Sequence, residues 1–204
     1  ISSTPSPMVM IGKRIKMTDP QARVVFIGPC VAKKKEYQMG KTMGTIDCAL
    51  TFEELYPLFA SRGIQPETLE EAVLDEASGF GRSFAHSGGV AAAVAQGLKE
   101  HGIGEEQFKL NAVSCSGLNA CKVELLKFAK GIGGVNFLEG MACEGGCVQG
   151  PGILIRSPKN QTDVQKHAQQ AGERTILEAV DGEKPEGKKT LKKKEPAAAG
   201  KGKK

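Results

Sequence analysis

The chain has 204 residues, enough for one good-sized domain or two small ones around a real core. Its 26 glycines, eight Phe, two Tyr and no Trp favour tight loops and close backbone approach, and argue against a platform that stacks single-stranded nucleic acid. The net charge of +5 is local: from Glu183 to Lys204 stand nine Lys and three Glu, while the preceding 182 residues carry 19 Lys plus Arg against 20 Asp plus Glu. Residues 1–182 are therefore expected to form the folded domain, and 183–204 a disordered Lys-rich tail that cannot bury a core. The plain reading of that tail is a solvated segment; the other is an electrostatic contact with an acidic partner or nucleic acid. The longest charge-free run, from Ser83 to Leu98, is broken by Gly, His, Gln and Ser and falls short of the ~18–20 apolar residues of a membrane span. No secretory signal is recognisable, so a cytoplasmic setting is expected, with no membrane partner. The chain opens on Ile1 and runs straight into Ser-Ser-Thr-Pro-Ser-Pro, which reads as the C-terminal piece of a longer product.

In chain order, Pro5 and Pro7 precede an apolar stretch that predicts a short helix ended by Asp19-Pro20. Arg23-Val-Val-Phe-Ile27 is a β-branched run expected as a buried parallel strand, stopped by Gly28-Pro29-Cys30 and followed by a polar loop. Asp47-Cys-Ala-Leu50 is a second short strand, and Thr51-Phe-Glu-Glu54 is a capping box opening a helix from Phe52 to Ser61. A helix with a glycine-rich entry is expected from Gly88 to Lys99, stopped by Gly102. A strand over Phe108 to Val113, a helix over Leu118 to Lys130 and a run from Asn136 to Met141 follow. A final helix is expected from Thr162 to Ala179, capped by Asn160 or Thr162. The alternation predicts an α/β fold, with partly parallel sheet flanked by helices and ligands held at the C-terminal strand ends. Cys30 follows one predicted strand and Cys143 another.

Six cysteines (Cys30, Cys48, Cys115, Cys121, Cys143 and Cys147) without a secretory signal favour reduced thiols or metal ligands over a disulfide framework. Met141-Ala-Cys-Glu-Gly-Gly-Cys-Val-Gln-Gly-Pro-Gly152 sets two cysteines four apart around a glycine pair. Glycines of this kind let the backbone approach an inorganic core and aim amides at anionic ligands. Spacing alone leaves three readings open: an iron–sulfur cluster, a zinc knuckle, and unligated thiols. Cys48, Cys115 and Cys121 read as small buried residues, with Cys115 or Cys121 as a further ligand in reserve. His86, His101 and His167 read as non-ligating.

Gly28-Pro-Cys30-Val-Ala-Lys33-Lys-Lys-Glu36 places Cys, Lys and Glu at i, i+3 and i+6 just after a strand, about 110 residues before the second motif. Together the two motifs resemble the C-terminal domain of the large subunit of iron-only hydrogenases. Phe84-Ala-His-Ser-Gly-Gly-Val90 and Asp47-Cys-Ala-Leu-Thr-Phe-Glu-Glu-Leu55 are similar to further segments of that family. The resemblance implies an H-cluster, a 4Fe-4S cubane bridged to a di-iron subcluster bearing carbon monoxide and cyanide. It makes Cys30 and Cys143 cubane ligands and Cys147 the ligand that bridges to the di-iron unit. Lys33 becomes the cation beside cyanide and Met141 a thioether packed against the di-iron unit. Pro29, Lys33, Phe84, Gly88 and Gly89 would line the cofactor. The implied activity is reversible reduction of protons to hydrogen, with electrons from ferredoxin or an upstream ferredoxin-like domain. Hydrogenase maturation proteins would load the cofactor. The same superfamily implies two other roles, a redox or hydrogen sensor and an iron–sulfur assembly factor.

The chain departs from the family at its start. The family motif Thr-Ser-Cys-Cys-Pro-x-Trp, which supplies a cubane ligand and a proton-relaying thiol, is matched by Ile1 to Met8 without a cysteine. Thr4 or Pro5 takes the relay position, and neither is a thiol acid. The family methionine before Pro-Cys is Gly28 here, so a looser or wetter pocket is expected.

Overall fold

The computed structural model describes residues 2–70, 72, 77–172 and 175–181; the Lys-rich tail lies outside the described residues. Two parallel strand pairs, each joined by a crossover that includes a helix, carry the architecture. In the first, β1 (Val25–Ile27) pairs with β2 (Cys48–Leu50) in the register Val25 to Cys48. The helix α1 (Pro7–Thr18) precedes this pair and has Pro at its first position. Met8, Val9, Val24 and Ile46 form a buried cluster with Phe26 and Tyr37 packed on it. Gly12 makes that fit possible, because a Cβ there would come within 2.6 Å of Ile46 Cδ1.

The stretch after Cys30 is not the expected polar loop. It forms a short helix, α2 (Ala32–Glu36), whose basic run has no apolar periodicity to announce it. The helix α3 (Phe52–Ser61) starts on the expected capping box, with Thr51 and Glu54 bonded in both directions. The helix α4 (Gly79–Arg82) leads into a 3-10 turn over Ser83–Ala85. The helix α5 (Gly89–Glu100) begins one residue later than expected, with Gly88 as its left-handed cap at φ 91°.

The second pair joins β3 (Ala112–Ser116) to β4 (Phe137–Met141) across α6 (Leu118–Ala129). The strand β3 begins four residues and ends three residues further along than the apolar pattern suggested, because Ser114 and Ser116 are strand residues whose hydroxyls are used internally. The expected last helix is two helices, α7 (Lys159–Gln169) and α8 (Ile176–Asp181). Neither Asn160 nor Thr162 caps α7; both lie inside it, and its N-terminal flank is Pro158. The start of α8 is held from a distance, the Glu100 carboxylate accepting the Ile176 and Leu177 N–H groups. No helix among the described residues is long and apolar enough to cross a membrane.

Candidate functional site

The C-terminal ends of β1 and β4 open into two loops that are stitched backbone to backbone. The Gly152 N–H donates to the Pro29 carbonyl at 2.9 Å, and the Glu53 N–H donates to the Gly152 carbonyl at 3.4 Å. The packing leaves no room for side chains. A Cβ at Gly150 would lie 2.6 Å from the Pro29 carbonyl oxygen, and one at Gly152 2.6 Å from Thr51 Cβ. Gly146 abuts the segment after the Ser83–Ala85 turn, where a Cβ would lie 2.7 Å from the Ser87 nitrogen and 2.9 Å from the Ala85 oxygen. Three segments distant in sequence therefore meet at one place.

Cys30, Cys143 and Cys147 converge there, each half-buried and free. Burial pushes the Cys147 thiol above its ordinary value; the neighbouring Cys30 and Cys143 push it further, and the Lys33 ammonium pulls it partly back. Thiolates crowded in this way repel one another, and a soft metal cation would offset that repulsion. No group of three or more His, Cys, Asp or Glu side chains among the described residues surrounds a single ion position. A multi-iron cluster takes each thiolate at a different iron, so its ligands need not converge on one point. In kind and neighbourhood the three thiolates fit such a cluster, and the fourth iron of a cubane would take its ligand from elsewhere.

Lys33 is not an ordinary exposed lysine. Its side chain is 22% exposed and its ammonium donates to Glu36 at 2.5 Å, at i,i+3 on α2. Glu36 also accepts the Ser6 hydroxyl. Burial raises the Glu36 carboxyl, but hydrogen bonds from Lys33 and Ser6 and the Lys33 charge outweigh it, leaving the group below its ordinary value. Lys34 pairs with Glu54 instead, tying α2 to α3.

The remaining expected site residues lie in and beside these loops. Pro29 holds the stitch through its carbonyl, and Phe84 lies in the 3-10 turn against which Gly89 packs. Gly88 donates its N–H to the carboxylate of Glu139 at 3.1 Å. Met141 closes β4 two residues before Cys143, its carbonyl accepting the Gly117 N–H at 2.8 Å.

Four findings run against or beyond the sequence reading. The loop glycines do not offer their amides outward: Gly145 donates to Ser116 Oγ, Gly146 to the Cys143 carbonyl and Gly150 to the Cys147 carbonyl. Their role is close approach. Gly28 leaves no gap either, because the Phe26 ring lies 2.7 Å from where its Cβ would be. Cys115 and Cys121 face each other, with Sγ atoms 3.4 Å apart, and form a pair of their own; of the three cysteines read as buried, only Cys115 is fully so. Sequence reasoning missed Glu139, a buried carboxylate on β4 that accepts from the Gly88 N–H, the Ala91 N–H and Ser114 Oγ. It pins the entry of α5 to the second sheet. An acidic residue in the middle of a short strand was its one signal.

Comparisons with known proteins agree with the motifs. The profile of the C-terminal domain of the iron only hydrogenase large subunit matches residues 1–151. Iron hydrogenase 1 of Clostridium pasteurianum is 30% identical over 208 residues, covering 81% of this chain and 36% of that protein. The periplasmic Fe hydrogenase large subunit of Nitratidesulfovibrio vulgaris is 28% identical over 187 residues, covering 74% of this chain and 44% of its own. The chain thus spans less than half the length of both relatives. Among solved structures, an FeFe-hydrogenase studied for oxygen inactivation of its H cluster superposes with a TM-score of 0.61 at 20% identity, over 89% of this chain and 62% of that one. A variant of the Chlamydomonas reinhardtii FeFe-hydrogenase gives 0.57 at 18% identity, over 89% and 64%. These likenesses establish a shared fold. With the profile covering most of its length, the chain belongs to the iron-only hydrogenase family, as a divergent form of the C-terminal domain of the large subunit.

Proposed function

We propose that this domain holds an iron–sulfur cofactor of the H-cluster type and takes part in reversible reduction of protons to hydrogen. The observation that carries the reading is the meeting of Cys30, Cys143 and Cys147 with Lys33 at the ends of β1 and β4. Cys30 and Cys143 would hold a 4Fe-4S cubane, and Cys147 would bridge to a di-iron subcluster with carbon monoxide and cyanide ligands. Bound there, the cofactor would supply low-potential electrons and an open iron for hydrogen chemistry. The chain's own residues bind and orient. Lys33 presents an ammonium held by Glu36 to an anionic ligand, and Met141 offers a thioether at the strand end. The glycine loop brings its backbone against Pro29 and Thr51. Electrons would come from a ferredoxin or a ferredoxin-like domain, and maturation proteins would load the di-iron unit. Free thiols fit a reducing compartment such as the cytoplasm.

Anaerobic reconstitution with iron and sulfide should give visible absorbance and about four irons per chain, and Cys147→Ser should lose most of it. Stoichiometric zinc with no iron uptake would sink the reading. Carbonyl and cyanide bands in the infrared, after coexpression with maturation proteins, report the di-iron unit separately.

A second reading, a cluster that senses rather than turns over, is favoured by the first stretch. Thr4 and Pro5 are exposed, and the neighbouring hydroxyl, Ser6, is bonded to Glu36. With Thr4 or Pro5 as the relay residue, hydrogen evolution per iron should be at least ~10²-fold below that of a cysteine-bearing relative. Thr4→Cys or Pro5→Cys should recover part of it. A parent as fast as that relative refutes this second reading.

A further inference from the structure

We propose that Cys115 and Cys121 are an oxidation site, a dithiol that converts reversibly into an intrachain disulfide by exchange with a small-molecule disulfide. The two sulfurs lie 3.4 Å apart, Cys115 buried on β3 and Cys121 half-buried in the first turn of α6. A disulfide needs about 2.05 Å, so closure asks the sulfurs to approach by about 1.4 Å. The backbone of β4 packs directly against the two sulfurs. Gly140 lies beneath both, and a Cβ there would sit 3.4 Å from Cys121 Sγ and 3.9 Å from Cys115 Sγ. Each thiol is held by weak donation to a strand carbonyl, Cys115 to Glu139 at 3.3 Å and Cys121 to Met141 at 3.4 Å.

Burial, with the adjacent Cys121 thiol, pushes Cys115 up to about 11, so the more accessible Cys121 attacks first. Its thiolate displaces one half of the small disulfide as a thiolate, which takes a proton, and a mixed disulfide forms at Cys121. Cys115 then gives up its proton and attacks Cys121 Sγ, releasing the second half as a thiol. Two electrons and two protons pass from the cysteine pair to the small disulfide, which ends as two thiols. Oxidation ties β3 to α6 and removes both S–H donors from β4, so the strand that ends two residues before Cys143 registers the change.

The full chain would be equilibrated anaerobically at rising ratios of oxidised to reduced glutathione, then acid-quenched, unfolded, alkylated and digested with trypsin. Residues 110–122 form one tryptic peptide with these two cysteines alone, so the result is read apart from Cys30, Cys143 and Cys147 and does not depend on cluster binding. Both alkylations should disappear together with the loss of two hydrogen atoms, and excess reduced glutathione should restore them. Cys115→Ser should stop at a glutathione adduct on Cys121. Cys121→Ser should leave Cys115 at least about tenfold less modified. A parent peptide that stays fully alkylated, or that stops at a glutathione adduct, overturns the proposal.

Discussion

The two strand pairs deliver cysteines to the same place but are held by opposite means. Around β1 and β2 an apolar cluster of Met8, Val9, Val24 and Ile46 is joined by charges near the surface, where Asp47 accepts Lys16, Arg23 and the Val24 N–H, and Lys34 reaches Glu54. Around β3 and β4 the work is done by a buried carboxylate, Glu139, and by glycines pressed against backbone. Surface charges tolerate substitution and respond to pH, whereas buried acceptors and side-chain-free contacts tolerate almost nothing. The first half should therefore be tuned by solution conditions and the second by mutation.

The strongest way to break that contrast is Gly146→Ala. Gly146 has φ 92° and ψ −171°, a conformation open essentially to glycine alone, and its Cβ would strike the Ser87 nitrogen at 2.7 Å. Strain and overpacking together should cost about 4 kcal/mol, read as a lower midpoint in chemical unfolding. A loss below about 1 kcal/mol would mean that the loop yields easily, against expectation for such packing. Next comes Glu139→Ala, which strands two N–H groups and a hydroxyl and should cost about 3 kcal/mol. Glu139→Gln keeps an acceptor and should cost about half of that. In the first half, Thr51→Ala removes one side of the capping box and should cost about 1 kcal/mol, the usual size for an N-cap.

The smallest effect is the acid response of the β1–β2 pair. The hydrogen bond from the Val24 N–H and those from Lys16 and Arg23 hold the Asp47 carboxyl at about 2, below its ordinary 3.8. A depressed folded-state value contributes stability that is complete above about 4 and is lost as pH falls through about 2. Amide exchange at Val24 and Cys48 should quicken across that window, and Asp47→Asn should flatten the dependence. An unchanged profile in that variant would move the acid response to another group.

Much of the first half was legible because its signals are local. Thr51 and Glu54 spell a capping box, and Val24 to Ile27 is a β-branched run between polar flanks. That Cys30, Cys143 and Cys147 meet was legible from motif spacing and from their places after two strands. The second half hides its logic in contacts distant along the chain. Ser114 weakens the apolar pattern of β3 because its hydroxyl serves Glu139, 25 positions away. The break between α7 and α8 is held by Glu100, 76 positions from Ile176. Cys115 and Cys121 meet only because α6 folds back on β3, and a spacing of six carries no such message. Ser6 reaches Glu36 for the same kind of reason, across 30 positions that no local pattern links.

The bond from Gly152 to Pro29 spans 123 positions of chain. At the usual pace of roughly 5–20 residues per second, a ribosome needs on the order of 10 seconds to travel that far after Pro29. For that interval Cys30 has left the decoding centre while Gly152 is still unmade, and the pocket it belongs to has no second wall. A cluster that needed all three thiols would have to arrive after residue 152 has emerged.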